Sequence, residues 1–113
     1  MDGMVLKFQQ IAREKWQYLE AGNARKGNRC FDQLKKLAGE LTERNMLRDL
    51  IPLLDDPEDG VKFEAAAALL PLNLKKTEET LLALSEKRGL IPFNAERTLI
   101  WWNEKMAQAD NDF

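Results

Sequence analysis

The sequence predicts an all-α fold, about three antiparallel helical hairpins stacked like a short solenoid. Three observations carry this. Apolar residues recur at steps of three and four from one end of the chain to the other. Leu and Ala supply 30 of the 113 residues, whereas Val, Ile and Thr supply 10, and the first pair favours helices as the second group favours strands. Helix stops such as Gly22, Pro71 and Gly89 leave short links between the periodic stretches, which favours antiparallel neighbours. At 13.0 kDa the chain fits one domain, residues 1–113, large enough to bury about two-thirds of its surface without staples.

The first helix carries Val5, Phe8, Ala12, Trp16 and Leu19 on one side and stops at Gly22. Asn23 can cap a second helix with the stripe Gly27, Cys30, Phe31, Leu34, Leu37, Ala38 and Leu41. A third, short helix over 45–54 turns Leu47, Leu50, Ile51 and Leu54 inward. The acidic turn 55–60 interrupts it, with Asp56 as a possible N-cap before Pro57 and Asp59 as the competing cap. The fourth helix, to about Leu70, is apolar nearly all round, so it belongs between neighbours at the centre of the stack. Pro71 ends it. A fifth helix to Arg88, capped by Asn73 or Thr77, turns Leu74, Leu81 and Leu84 inward. A sixth begins near Pro92 with Phe93, Ala95, Leu99, Trp102 and Met106 on one side, and residues 107–113 read as a frayed tail.

The middle hairpin, about 45–72, resembles a HEAT repeat. Leu50-Ile51-Pro52-Leu53-Leu54, the Asp56-Pro57 turn, the Val61-Lys62 pair and Ala65-Ala66-Ala67-Ala68-Leu69 carry the likeness. A second resemblance spans nearly the whole chain. It rests on the blocks from Gly22 to Lys26 with Asn28, Phe31-Asp32 and Leu34; on Ala66-Ala67 with Leu69-Leu70-Pro71-Leu72; and on Gly89-Leu90, Phe93, Ala95-Glu96, Thr98-Leu99 and Trp102. Together these are similar to a family of short bacterial HEAT-like proteins of mostly unassigned function, often encoded beside contact-dependent or Rhs-type toxins. Asn73 stands where that family often has an acidic residue. The resemblance implies a cytoplasmic, non-catalytic immunity protein that neutralises a toxin domain by direct binding. The alternatives are a HEAT-type adaptor in a housekeeping complex and, less well supported, a glycosylase-like nucleic-acid protein.

Composition agrees with a binding role. The chain has no histidine, which removes the usual general base and the Ser-His and Cys-His nucleophile systems. The single cysteine excludes an internal disulfide, and there is no Cys/His cluster for zinc. Neither a cofactor nor a metal is expected: Pro57 occupies a ligand position in the only EF-hand-like acidic run. The net charge of −2 gives no global pull toward nucleic acid or anionic lipid. No basic n-region precedes an apolar stretch at the N-terminus, and the longest apolar run is far short of ~20 residues, so neither a secretory leader nor a membrane span is read.

Three groups are candidates for a protein interface. Trp101 shares a helix face with Arg97 and Lys105 and is of the residue type enriched at binding hot spots. Asp55, Asp56, Glu58 and Asp59 form an acidic turn that suits a basic cleft on a partner. Arg25, Lys26 and Arg29 form a basic face near the start of the second helix, opposite its apolar stripe, and no aromatic interleaves with them as a single-stranded nucleic-acid site would require.

Overall fold

The computed structural model of the chain describes residues 2–111, and every described element is helical. Helix α1 (Gly3–Glu20) starts at Asp2, whose carboxylate accepts the Met4 N–H at 2.8 Å. It ends where Gly22 takes φ 79° and the Asn23 N–H reaches back to the Tyr18 carbonyl at 2.8 Å, a Schellman closure that only a left-handed residue permits. Asn23 then caps α2 (Ala24–Glu43) by accepting the Lys26 N–H. The same closure recurs at the end of α2, with Asn45 at φ 57° and the Met46 N–H on the Leu41 carbonyl at 2.7 Å. The three-residue link 21–23 turns α2 back along α1, so the two form an antiparallel pair.

The third segment is a 3-10 helix, η1 (Leu47–Asp55), with Pro52 inside it. A proline ring clashes with the carbonyl four residues back in an α-helix, and the tighter winding eclipses side chains three apart. Leu47, Leu50 and Leu53 are accordingly buried in one row with Leu54, while Ile51, expected inward on an α-helical count, is half-buried. Helix α3 (Asp59–Leu69) follows. Neither expected residue caps it: Glu58 occupies the cap position without a side-chain bond, and Asp59 is the first helical residue. Helix α3 packs against η1, α4, α1 and α5, which places it at the centre. Ala65 and Ala66 are enclosed, but Ala67 and Ala68 are half-buried and line a surface groove.

A single 3-10 turn, η2 (Leu70–Leu72), leads through Asn73 at φ 56° into α4 (Lys75–Ser85). Neither Asn73 nor Thr77 caps α4: Leu74 holds the cap position without a side-chain bond, and Thr77 is buried within the helix. Helix α4 stops at Ser85, short of the expected Arg88. Helix α5 (Leu90–Asn111) starts two residues before Pro92, so Pro92 sits in the first turn, where its missing N–H costs nothing. The helix runs on through residues 107–111, which were expected to fray; 112–113 lie outside the described residues.

The core is continuous. Val5, Phe8, Ala12 and Trp16 from α1 meet Leu34, Leu37 and Leu41 from α2, the η1 leucines, Val61, Phe63 and Leu69 from α3, Leu81 and Leu84 from α4, and Ala95 and Trp102 from α5. A tight approach to the Trp16 ring is at Gly60, where an added Cβ would lie 2.6 Å from Trp16 Cδ1. One ion pair is built into this core. Lys15 Nζ stands 2.7 Å from Glu64 Oε2, which also accepts the Trp16 Nε1–H at 2.8 Å. Among the described residues no helix is long and apolar enough to cross a membrane.

Candidate functional site

Helix α5 has two faces because its apolar residues follow two registers. Ala95, Trp102 and, half-buried, Leu99 and Met106 face the core, as the sequence periodicity predicts. Phe93 does not: it is 58% exposed. It falls instead on the outer face, where Leu90, Arg97, Ile100, Trp101, Glu104 and Gln108 occupy an arc of about 100° at 3.6 residues per turn. Ile100 is 49% and Trp101 54% exposed. The aromatic rings are shaded by cations one turn on, Arg97 5.9 Å from the Phe93 centroid and Lys105 5.0 Å from that of Trp101. Such exposed contacts are worth only about 0.5–1 kcal/mol, so the apolar area remains available. Arg97 and Glu104 make no ion pair among the described residues. Sequence reasoning found Trp101 and Arg97 on this face but not Leu90, Phe93, Ile100 or Glu104. The signal was present in the spacing 90, 93, 97, 100, 104, a second stripe beside the core-facing one.

The acidic turn is not a free acidic patch. Asp56 is buried, its Oδ2 accepting from Gln9 Nε2 at 2.7 Å and its Oδ1 from the Glu58 N–H at 2.9 Å. Asp55 pairs with Lys76 at 2.6 Å, Glu58 with Arg13 at 3.0 Å, and Asp59 with Lys87 at 2.9 Å and Lys62 at 3.9 Å. These acids clasp α1 and α4 to the turn. Arg13, Glu58, Asp59 and Lys87, with Trp16 and Glu20, line an open cleft of about 480 Å³ in which Glu58 and Asp59 are already matched by Arg13 and Lys87. No group of three or more His, Cys, Asp or Glu among the described residues is arranged to hold a metal ion.

On α2, Arg25, Lys26 and Arg29 are exposed as expected, with the Lys26 ammonium 5.4 Å from the Tyr18 ring. Phe31, expected in the core stripe, is 43% exposed. It lines an apolar groove of about 180 Å³ between α2 and α3, floored by Phe8, with Lys15 and Lys35 over its ring. Cys30 is buried as a free thiol. Desolvation, and then the Glu14 carboxylate, raise its pKa above the ordinary thiol value, so it is a poor nucleophile at neutral pH.

These features are carried by a fold with a known counterpart. The crystal structure of the protein RPA1889 from Rhodopseudomonas palustris CGA009 is similar, with a TM-score of 0.84 over 89% of this chain and 86% of that one. At 24% sequence identity the likeness speaks for the fold alone. No curated protein matches the sequence. A family described as a domain of unknown function, DUF2019, matches residues 2–100, and with almost the whole helical body inside that match the chain belongs to this family.

Proposed function

We propose that this chain is a non-catalytic protein-binding module whose docking surface is the outer face of α5. The observation that carries the reading is the run of half-exposed Phe93, Ile100 and Trp101 around Arg97 on one side of a 22-residue helix. Soluble domains rarely leave aligned aromatic and aliphatic residues open without a partner, and Trp and Arg are the side chains that most often anchor an interface. The helix order supports a HEAT-like stack of three hairpins, α1 with α2, η1 with α3, and α4 with α5, in which α5 is a terminal helix with an open outer side. The partner class is a toxin domain encoded beside this chain, which the module neutralises by binding in the cytoplasm. This follows from the resemblance of Gly22 to Lys26, Leu69 to Leu72 and Gly89 to Trp102 to HEAT-like immunity proteins.

Co-expression with the adjacent toxin domain tests this. The parent should restore growth and co-purify with the toxin, and Trp101→Ala should raise the dissociation rate at least tenfold, as loss of a desolvated anchor does. Rescue and binding unchanged by Trp101→Ala and Phe93→Ser together would exclude α5 as the surface and move attention to Arg25, Lys26 and Arg29. Failure to bind any adjacent gene product would favour the adaptor role.

A further inference from the structure

The outer face of α5 is complementary to itself. Ile100 and Trp101 lie at its middle; Arg97 stands three residues before Ile100, and Glu104 three residues after Trp101. Phe93 stands seven before and Gln108 seven after. A second copy laid antiparallel about the Ile100–Trp101 midpoint therefore sets Arg97 of each chain against Glu104 of the other. The same arrangement brings both Ile100–Trp101 pairs together at the centre and lays Phe93 over the methylenes of Gln108. In a twofold interface each favourable pair occurs twice. Within one chain the two charges are about 10 Å apart along the axis at 1.5 Å per residue, too far to satisfy each other, and neither has another ion-pair partner among the described residues.

We infer that in the free protein the α5 face is occupied by a second copy of this chain, as an antiparallel α5–α5 homodimer held by a central Ile100–Trp101 cluster and two symmetric Arg97–Glu104 pairs. This rests on the reading of α5 as a docking surface and names the occupant of that surface when no other protein is present. Helix α5 is about 33 Å long, and one helix-on-helix contact of that length falls below the ~1,200 Å² of stable interfaces. The dimer should be weak and concentration-dependent.

The test is sedimentation equilibrium of the full chain from about 10 μM to 1 mM, with circular dichroism on every variant. The parent should pass from monomer to dimer across that range. Arg97→Glu and Glu104→Arg alone should each weaken association at least tenfold, because each puts two like-charge pairs in the interface. An equimolar mixture of the two variants should dimerise again, one chain carrying two acids and the other two bases at the facing positions. The double variant Arg97→Glu with Glu104→Arg should also dimerise. A parent that stays monomeric at 1 mM, or a mixture no more associated than its components, overturns the homodimer. Toxin co-purification that depends on Trp101 would still stand in that event, so the two readings fail separately.

Discussion

Glu64 is a buried charge whose removal should be costly. Its side chain is 6% exposed, and its Oε2 holds both the Lys15 ammonium and the Trp16 N–H. Glu64→Gln keeps an acceptor for Trp16 and nearly the same shape, but leaves Lys15, with a side chain 10% exposed, without its counter-ion. Stranding one member of a buried pair costs about 3–5 kcal/mol. The Trp16 and Phe31 rings, each 4.9 Å from the Lys15 ammonium, offset about 1 kcal/mol of that through cation–π attraction. A net loss of about 2–4 kcal/mol remains, against a total stability of ~5–15 kcal/mol. For a domain of this size it should lower Tm by roughly 8–16 °C. Lys15→Met should cost a similar amount by stranding the carboxylate. The double variant Lys15→Met with Glu64→Gln removes both charges and keeps the Trp16 bond, so it should recover at least ~2 kcal/mol relative to the sum of the singles. Urea unfolding followed by tryptophan fluorescence measures all four proteins. Single variants within ~0.5 kcal/mol of the parent, or an additive double, would refute the argument that this pair is desolvated and mutually dependent.

Gly60→Ala should destabilise by about 1–3 kcal/mol, because the new Cβ meets the Trp16 ring at 2.6 Å and Trp16 is pinned by Glu64 and by an edge contact with Phe63; a melt at or above the parent Tm would show that Trp16 can retreat. The Thr77 hydroxyl is enclosed with no hydrogen-bond partner among the described residues, so Thr77→Val, which keeps the shape, should raise stability by roughly 1 kcal/mol in the same urea assay. Cys30, with its raised pKa, should resist iodoacetamide in the native protein at pH 7.5 and react readily once urea unfolds it. The unfolded thiol ionises first as pH climbs past ~8.5, so stability should fall above that pH until the folded thiol also ionises, and Cys30→Ala should remove that component.

Much of the helical body was legible in the apolar periodicity, since burial of one face is what most stabilises a helix in water. What escaped depends on contacts between segments far apart in the chain. Pro52 is visible in the sequence, yet whether the chain kinks an α-helix or winds as 3-10 is decided by how the row Leu47, Leu50 and Leu53 packs. Asp56 looked like a helix cap and a steering charge, but Gln9, 47 positions away, holds it inside. Phe31 and Phe93 belong to the apolar stripes read from the spacing, but each is exposed and the core contacts come from nearby Cys30 and Ala95. Glu64 gave a usable hint: a lone acid in Val61–Leu70 apart from Lys62 must find a cation, and Lys15 beside Trp16 on the inner side of α1 was available. For the candidate surface, Trp101 and Arg97 stood out by residue type, but the full stripe appears only when both registers of α5 are counted.

The stitches between α1 and the stretch from Asp56 to Glu64 have a kinetic consequence. Gln9 to Asp56, Arg13 to Glu58, Trp16 to Glu64 and Lys15 to Glu64 span 47, 45, 48 and 49 positions, so all four close loops of nearly the same length between the same two segments. Closing a loop of that length carries its entropy once, in the first stitch, and the others then form almost without further closure cost. The seam should therefore zip and unzip as one cooperative unit, while each helix–turn–helix forms on local contacts alone. Native-state amide exchange would register this as α1 and the start of α3 opening together, with one shared protection free energy distinct from that of the α4–α5 end.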